Sequence, residues 1–105
     1  MKAFVSIMGG GRGITVLEGG ISTALSTTSA IVNTSNDTTL SDTSVVNTGG
    51  SDFSVAIYSA DDTPVVRRVD AKATGATSSY AVFNNGSASF VLNDIRATAK
   101  GTTNS

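Results

Sequence analysis

The chain has 105 residues, of which 39% are hydrophobic and 14% charged, and its formal net charge is −1. It contains neither cysteine nor histidine; this excludes a disulfide framework and thiolate chemistry, and removes the commonest general base and metal ligand. The seven basic residues form no dense run, so the sequence predicts no nucleic-acid footprint. No apolar stretch has the length of a membrane span or of a secretion signal, and we expect one domain over residues 1-105.

The amino-terminal part predicts two short strands joined by a glycine-rich loop. Residues 3–8 place Ala3, Val5 and Ile7 on one face of a strand and Phe4, Ser6 and Met8 on the other, which favours a strand with contacts on both faces. Gly9–Gly13 has neither the Walker spacing nor the dinucleotide-binding spacing and is followed by strand-like residues rather than a helix, so we interpret it as a flexible connection. Ile14–Glu18 has the composition of a second strand.

Residues 21–47 are harder to interpret. Ile21–Asn33 fits the period of a helix or of a strand, but its many Ser, Thr and β-branched residues favour a strand. Polar residues 33–39 predict a loop, and Leu40–Asn47 predicts a strand that ends at a Gly-Gly turn.

The next two strands are the clearest of the chain. Phe53, Val55 and Ile57 alternate with smaller or polar residues, and we expect these three to face the core. The chain's only proline then precedes a strand from Val65 to Ala73, in which Arg68, Asp70 and Lys72 predict a solvated stripe of alternating charge.

Asn85-Gly86 lies between two runs rich in aromatic and β-branched residues and predicts a type I′ β-hairpin. In that register Phe83 faces Ala88, while Tyr80, Val82 and Val91 share the opposite side. The apolar alternation slips after Leu92, which predicts a β-bulge near Asn93-Asp94. Residues 101–105 predict a polar tail.

About eight short strands without a long helix predict an all-β fold, an antiparallel β-sandwich or barrel. The large apolar residues with the clearest alternation should form a shared core: Phe53, Val55, Ile57, Phe83, Phe90 and Leu92.

The residues provide no catalytic site, and we predict no cofactor and no metal. Asp61-Asp62 could supply oxygen ligands to Ca²⁺, but without an EF-hand spacing a solvated turn is favoured. A scarcely charged surface instead predicts association with protein. The candidate protein contacts are Arg12, Tyr80, Val82 and Val91.

The amino-acid composition and the length of the whole chain resemble those of small virion proteins of tailed bacteriophages. It is rich in Ser, Thr, Ala, Gly and Asn and lacks Cys, His and Trp. Capsid decoration (cement) proteins are the group that it resembles most. The resemblance implies a non-enzymatic homo-oligomer, trimer favoured, that binds a major capsid protein on the capsid surface of the virion, without contacts to nucleic acid or membrane. A phage tail or fibre component, and an extracellular adhesion or filament module, are the alternatives.

Overall fold

A computed structural model describes residues 1–2, 4–22, 30–60, 63–86 and 89–103. In these ranges the chain is all-β, with eight strands: β1 (Ile7–Met8), β2 (Val16–Gly19), β3 (Ala30–Asn33), β4 (Thr39–Asn47), β5 (Phe53–Ala60), β6 (Val65–Thr74), β7 (Ser78–Asn85) and β8 (Val91–Lys100).

From β3 onward, successive strands alternate between two sheets. Sheet A has the order β1-β4-β6-β8, with β2 also paired to β4, and sheet B has the order β3-β5-β7. Each strand pairs in parallel with the strand two positions further along the chain in the same sheet. The chain is therefore wound into stacked coils, a parallel β-solenoid, in which each coil contacts its neighbours above and below.

The repeat length is nearly constant. In sheet A, Thr39 pairs with Val65 and Val65 with Val91, a spacing of 26 residues. In sheet B, Ala30 pairs with Val55 and Val55 with Tyr80, a spacing of 25 residues. We use "column" for residues that are in register on successive strands.

The antiparallel sandwich or barrel was therefore a wrong prediction, and so was the hairpin. β7 pairs with β5 and β8 pairs with β6, so the two strands flanking Asn85-Gly86 lie in different sheets. Gly86 has a φ of 89°, but Asn85 is not among the residues with positive φ, whereas a type I′ turn needs both. The predicted hairpin would place Ala88 opposite Phe83, and Ala88 lies outside the described residues.

Small side chains fill the space between the sheets. The buried cluster includes Leu40, Val45, Ile57, Val66 and Val69, each at most 1% exposed. Among polar residues, Thr43, Asn47, Ser54, Ser59 and Ser79 are completely buried. A part of the chain's Ser and Thr is therefore buried and does not contribute to the polar surface.

Of the six predicted core residues, Val55 and Ile57 are fully buried, whereas Leu92 is 51% exposed and Phe53, Phe83 and Phe90 are half-buried. Phe53 and Val55 do not share a face with Ile57. The alternation shifts between Ala56 and Ile57, which both pack in the inner cluster, so Phe53 and Val55 belong to the outer face of sheet B.

Sheet A has a similar shift, and it is repeated in three strands. Asp42, Arg68 and Asp94 form one column and have φ values of 55°, 50° and 56°. The pairing skips this column but resumes without offset, since Arg67 pairs with Asn93 and Val69 with Ile95. The predicted slip at Asp94 is thus confirmed, but its cause is a left-handed residue and not the extra residue of a bulge.

Candidate assembly surfaces

The outer face of sheet A carries a stacked ion network. Arg68 binds Asp42 with two parallel contacts, Nε to Oδ1 at 2.5 Å and Nη2 to Oδ2 at 2.9 Å. These hydrogen bonds hold the pKa of Asp42 below its usual value and raise the pKa of Arg68. The network joins neighbouring strands because the left-handed column places the two side chains directly above each other.

Arg12 extends this network across the stack. The Gly9–Gly13 loop is fixed to β4, since the Gly11 amide donates to the Asp42 carbonyl. From this loop the Arg12 guanidinium reaches Asp94 on β8, with Nη2 2.9 Å from Oδ1, and Nε lies 3.4 Å from Oδ1 of Asp70 on β6. The predicted contact residue Arg12 is thus engaged within its own chain, with 27% of its side chain exposed.

A groove of about 250 Å³ lies beside this network, lined by Ser44, Val46, Asp70, Ala71, Lys72, Arg96 and Thr98. Asp70 is held between Arg12 and Arg96, whose Nη1 is 4.0 Å from its Oδ2. The Ser44 hydroxyl accepts the Gly13 amide. These polar groups therefore stabilise the loop and the sheet face. Within the described ranges no three acidic residues cluster as metal ligands; the Asp61-Asp62 turn lies outside those ranges.

The outer face of sheet B carries an aromatic ladder. Tyr58 and Phe83, a register pair, stack with ring centroids 5.5 Å apart and an interplanar angle of 8°. Tyr80 packs edge-on against Phe83 and stacks with Phe53 at 6.2 Å. Asn85 donates to the Tyr58 hydroxyl at 3.0 Å. Because the rings contact one another across strands, they stabilise the stack and offer few free ring faces to a flat ligand.

In the described residues, the carboxy-terminal end of the stack is formed by β8 and is open, since the outer edge of β8 pairs with no other strand. Eight of its ten residues are exposed, and only Ile95 and Ala99 are half-buried. Leu92 continues the column of Ile7, Leu40 and Val66. The two inner members, Leu40 and Val66, are at most 1% exposed, yet Leu92 is 51% exposed and its neighbour Val91 49%.

The amino-terminal end, formed by β1 and β2, is open as well. In the described part of the chain these strands pair only with β4. Their exposed apolar residues are Met8 (76%), Val16 (44%) and Ile7 (36%). Phe4 and Ile14 in the adjoining loops are also more than three-quarters exposed. Each end therefore presents apolar side chains and one edge of a strand.

The structure does not bring the four predicted contact residues together. Arg12 lies on the outer face of sheet A, and Tyr80 belongs to the aromatic ladder. Val82 packs on the inner cluster, and Val91 lies at the carboxy-terminal end.

Sequence reasoning missed the other residues of the two ends, which become visible only once the 26-residue repeat is recognised. A signal for it is present: Gly49, Gly75 and Gly101 are spaced by 26 residues.

No helix in the described ranges is long and apolar enough to cross a membrane. Comparison of the chain with known protein families, curated proteins and solved structures gives no match.

Proposed function

We propose that the protein is a structural, non-enzymatic module of an extended protein assembly, such as a fibre or filament, and that it attaches through the open ends of its coil stack. The observation that carries this proposal is β8. It is a ten-residue strand that ends the stack with its length exposed and with Val91 and Leu92 uncovered.

Such an edge is an attachment site by its chemistry. The outer edge of a strand presents N–H and C=O groups at the spacing of another strand, and soluble proteins usually block such edges with a short strand, proline or a covering segment. Solenoids likewise need polar caps on their terminal repeats. Here the column that contains Leu40 and Val66 inside the stack continues to Leu92 at the surface.

The rest of the surface is consistent with a structural role. The ion network of sheet A and the aromatic ladder of sheet B are both used within the chain, and both join neighbouring strands. Only 14% of residues are charged and the net charge is −1, so electrostatic repulsion between copies is weak.

Capsid decoration is the second candidate. Its support is the likeness in composition and length to phage cement proteins, together with the exposed Phe4 and Ile14 of the amino-terminal loops, which could contact a coat subunit. In this alternative the amino-terminal end binds the capsid surface.

The test compares two variants of equal charge change. Leu92→Glu places a carboxylate at the carboxy-terminal end, where half of the side chain is already in water. Ser51→Glu places one in the exposed β4–β5 connection. We expect sedimentation velocity to show concentration-dependent association of the native chain and of Ser51→Glu, and a loss of association in Leu92→Glu.

Co-sedimentation with preformed capsid shells separates the two candidates. Binding to shells that persists in Leu92→Glu supports decoration through the other end. A native chain that stays monomeric at every concentration and binds no shells contradicts both.

A further inference from the structure

We infer that the partner of each open end is a second copy of this chain, added head to tail, so that β1 and β2 of one copy continue sheet A beyond β8 of the other in register. This inference rests on the proposed function and names the partner of the same ends. Three features of the ends support it: the register of the columns, their charges, and the positions of the two chain termini beside sheet B.

The columns specify the register. Ile7 pairs with Leu40, Leu40 with Val66, and Val66 with Leu92. One further layer of the same spacing places Ile7 of the next copy over Leu92, so that two exposed apolar side chains cover each other. By the same rule Leu17 of the next copy lies over Ala97.

The charges of the two ends are complementary in this register. Glu18 belongs to the column of Val46, Lys72 and Thr98. Glu18 of the next copy therefore lies over Thr98, between Arg96 and Lys100, which flank Thr98 on the same face. Within the described ranges, Glu18 and Lys100 have no ion-pair partner in their own chain. Contact between two β8 edges would instead bring these basic residues together without an acidic partner from the other end.

Sheet B adds an independent match. At the carboxy-terminal end, the Thr102 and Thr103 amides donate to the carbonyls of Ala76 and Thr77, so the chain passes over the turn that precedes β7. At the amino-terminal end, the Met1 amine donates to the carbonyl of Asn33, at the far end of β3.

Asn33 pairs with Tyr58, and Tyr58 with Phe83, so Met1 lies near the column at the end of β7. Stacked head to tail, the Thr102–Thr103 segment of one copy and Met1 of the next lie at opposite ends of β7 and do not collide. A contact of this kind uses different surfaces on the two copies and leaves a free end on each, so it extends into an open filament.

Cysteine cross-linking tests the register directly, because the native chain has no cysteine. Met8 and Asn93 belong to one column and are both exposed, and neither contributes to the charge match. Neighbouring strands lie about 4.8 Å apart, within the Cα distances that a disulfide spans. Copper phenanthroline and oxygen serve as the oxidant that joins the two thiols.

We expect a mixture of Met8→Cys and Asn93→Cys chains to form a cross-linked dimer, and each single variant to remain uncross-linked. A chain with both substitutions should form a ladder of oligomers on a non-reducing gel. The matched control combines Met8→Cys with Arg67→Cys, which lies in the same column one coil inside the stack and should give no ladder.

A charge exchange is the second test. Glu18→Lys should weaken self-association about 3- to 10-fold, and adding Lys100→Glu to the same chain should restore it. Circular dichroism checks that each variant is folded.

The outcomes separate the two proposals. Association in solution without the Met8–Asn93 cross-link, or cross-linking of single variants as efficient as that of the mixture, overturns the head-to-tail register and leaves the structural role standing. Absence of any association overturns both.

Discussion

The depth of burial along one column predicts how stability is distributed through the stack. Leu40 and Leu92 are the same residue type in the same column of sheet A, two coils apart, with Val66 between them. Leu40 is 1% exposed and Leu92 is 51% exposed. Replacing each with alanine removes the same atoms from opposite environments, so the pair controls for residue chemistry.

Leu40→Ala leaves a cavity in a closed core and should lower the free energy of unfolding by about 2–5 kcal/mol. Complete burial of a leucine side chain contributes about 1.5–3 kcal/mol. Leu92 retains roughly half of that burial and water can fill the space, so Leu92→Ala should cost about 1 kcal/mol or less. A loss of 2 kcal/mol corresponds to a Tm lower by roughly 8–16 °C.

Urea unfolding followed by circular dichroism measures both values, at a protein concentration low enough to keep copies apart. Equal losses for the two variants at that concentration would refute the exposed position of Leu92 at the end of the stack, because they would mean that Leu92 is as deeply buried as Leu40. At high concentration, stacking should bury Leu92, and the cost of Leu92→Ala should then rise toward that of Leu40→Ala.

Three further predictions concern the corners and faces of the stack. Gly49→Ala should lower the free energy of unfolding by roughly 1–3 kcal/mol, because the new Cβ would lie 2.1 Å from main-chain atoms of the preceding layer. Gly50→Ala is the control: its Cβ meets nothing closer than 4.0 Å, and the free energy of unfolding should change by less than about 0.5 kcal/mol. Arg68 lowers the pKa of Asp42, so the Asp42 carboxylate stabilises the fold at pH values above its pKa in the unfolded chain. This contribution is lost as the pH falls through the pKa of Asp42 in the folded chain. Thermal scans below about pH 4 should therefore show a smaller loss of Tm in Asp42→Asn than in the native chain. Tyr58→Phe removes one hydroxyl hydrogen bond but keeps the ring stack, and chemical denaturation should show a loss of about 0.5–1.5 kcal/mol.

The sequence predicted the strands better than their pairing. Predicted strands over Leu40–Asn47 and from Phe53 agree with β4 and β5. Of the predicted solvated stripe, Arg68 and Lys72 are exposed, whereas Asp70 is half-buried between Arg12 and Arg96. Residues 23–29 of the uncertain Ile21–Asn33 segment lie outside the described ranges, and Ala30–Asn33 is a strand. These features depend on local composition and on the alternation of apolar and polar residues. Both are similar in strands that pair in parallel and in strands that pair antiparallel, so they predict a strand but not its partner.

Pairing failed because its determinants are distant in sequence. An Asn-Gly pair is typical of a hairpin turn, but a Gly with positive φ can equally turn the chain from one sheet to the other. Gly86 does the latter here. The partner of β7 is β5, and no residue near Asn85 specifies that choice. The inward faces were assigned from strict alternation, which fails where two consecutive residues, such as Ala56 and Ile57, both face inward.

The candidate ends were partly accessible from sequence. Val91 was selected for its apolar character, and it does lie at the carboxy-terminal end. Glu18 and Lys100 could not be predicted as contact residues, because isolated charged residues near strand termini usually face solvent. Their relation follows only from the columns, which place residues that are far apart in the sequence at matching positions on opposite ends.

Because the strands of each coil pair with the coils above and below it, the stack has a directional response to force once the ion pairs of Arg12, which reach across coils to Asp70 and Asp94, are broken. Tension applied to the two chain termini acts first on the end coils and peels them away, while the inner coils keep their neighbours. A released coil of 25 or 26 residues extends by up to roughly 80–95 Å. Single-molecule pulling should therefore record a series of similar steps, and a filament of such units would lengthen in increments under load before any subunit separates completely.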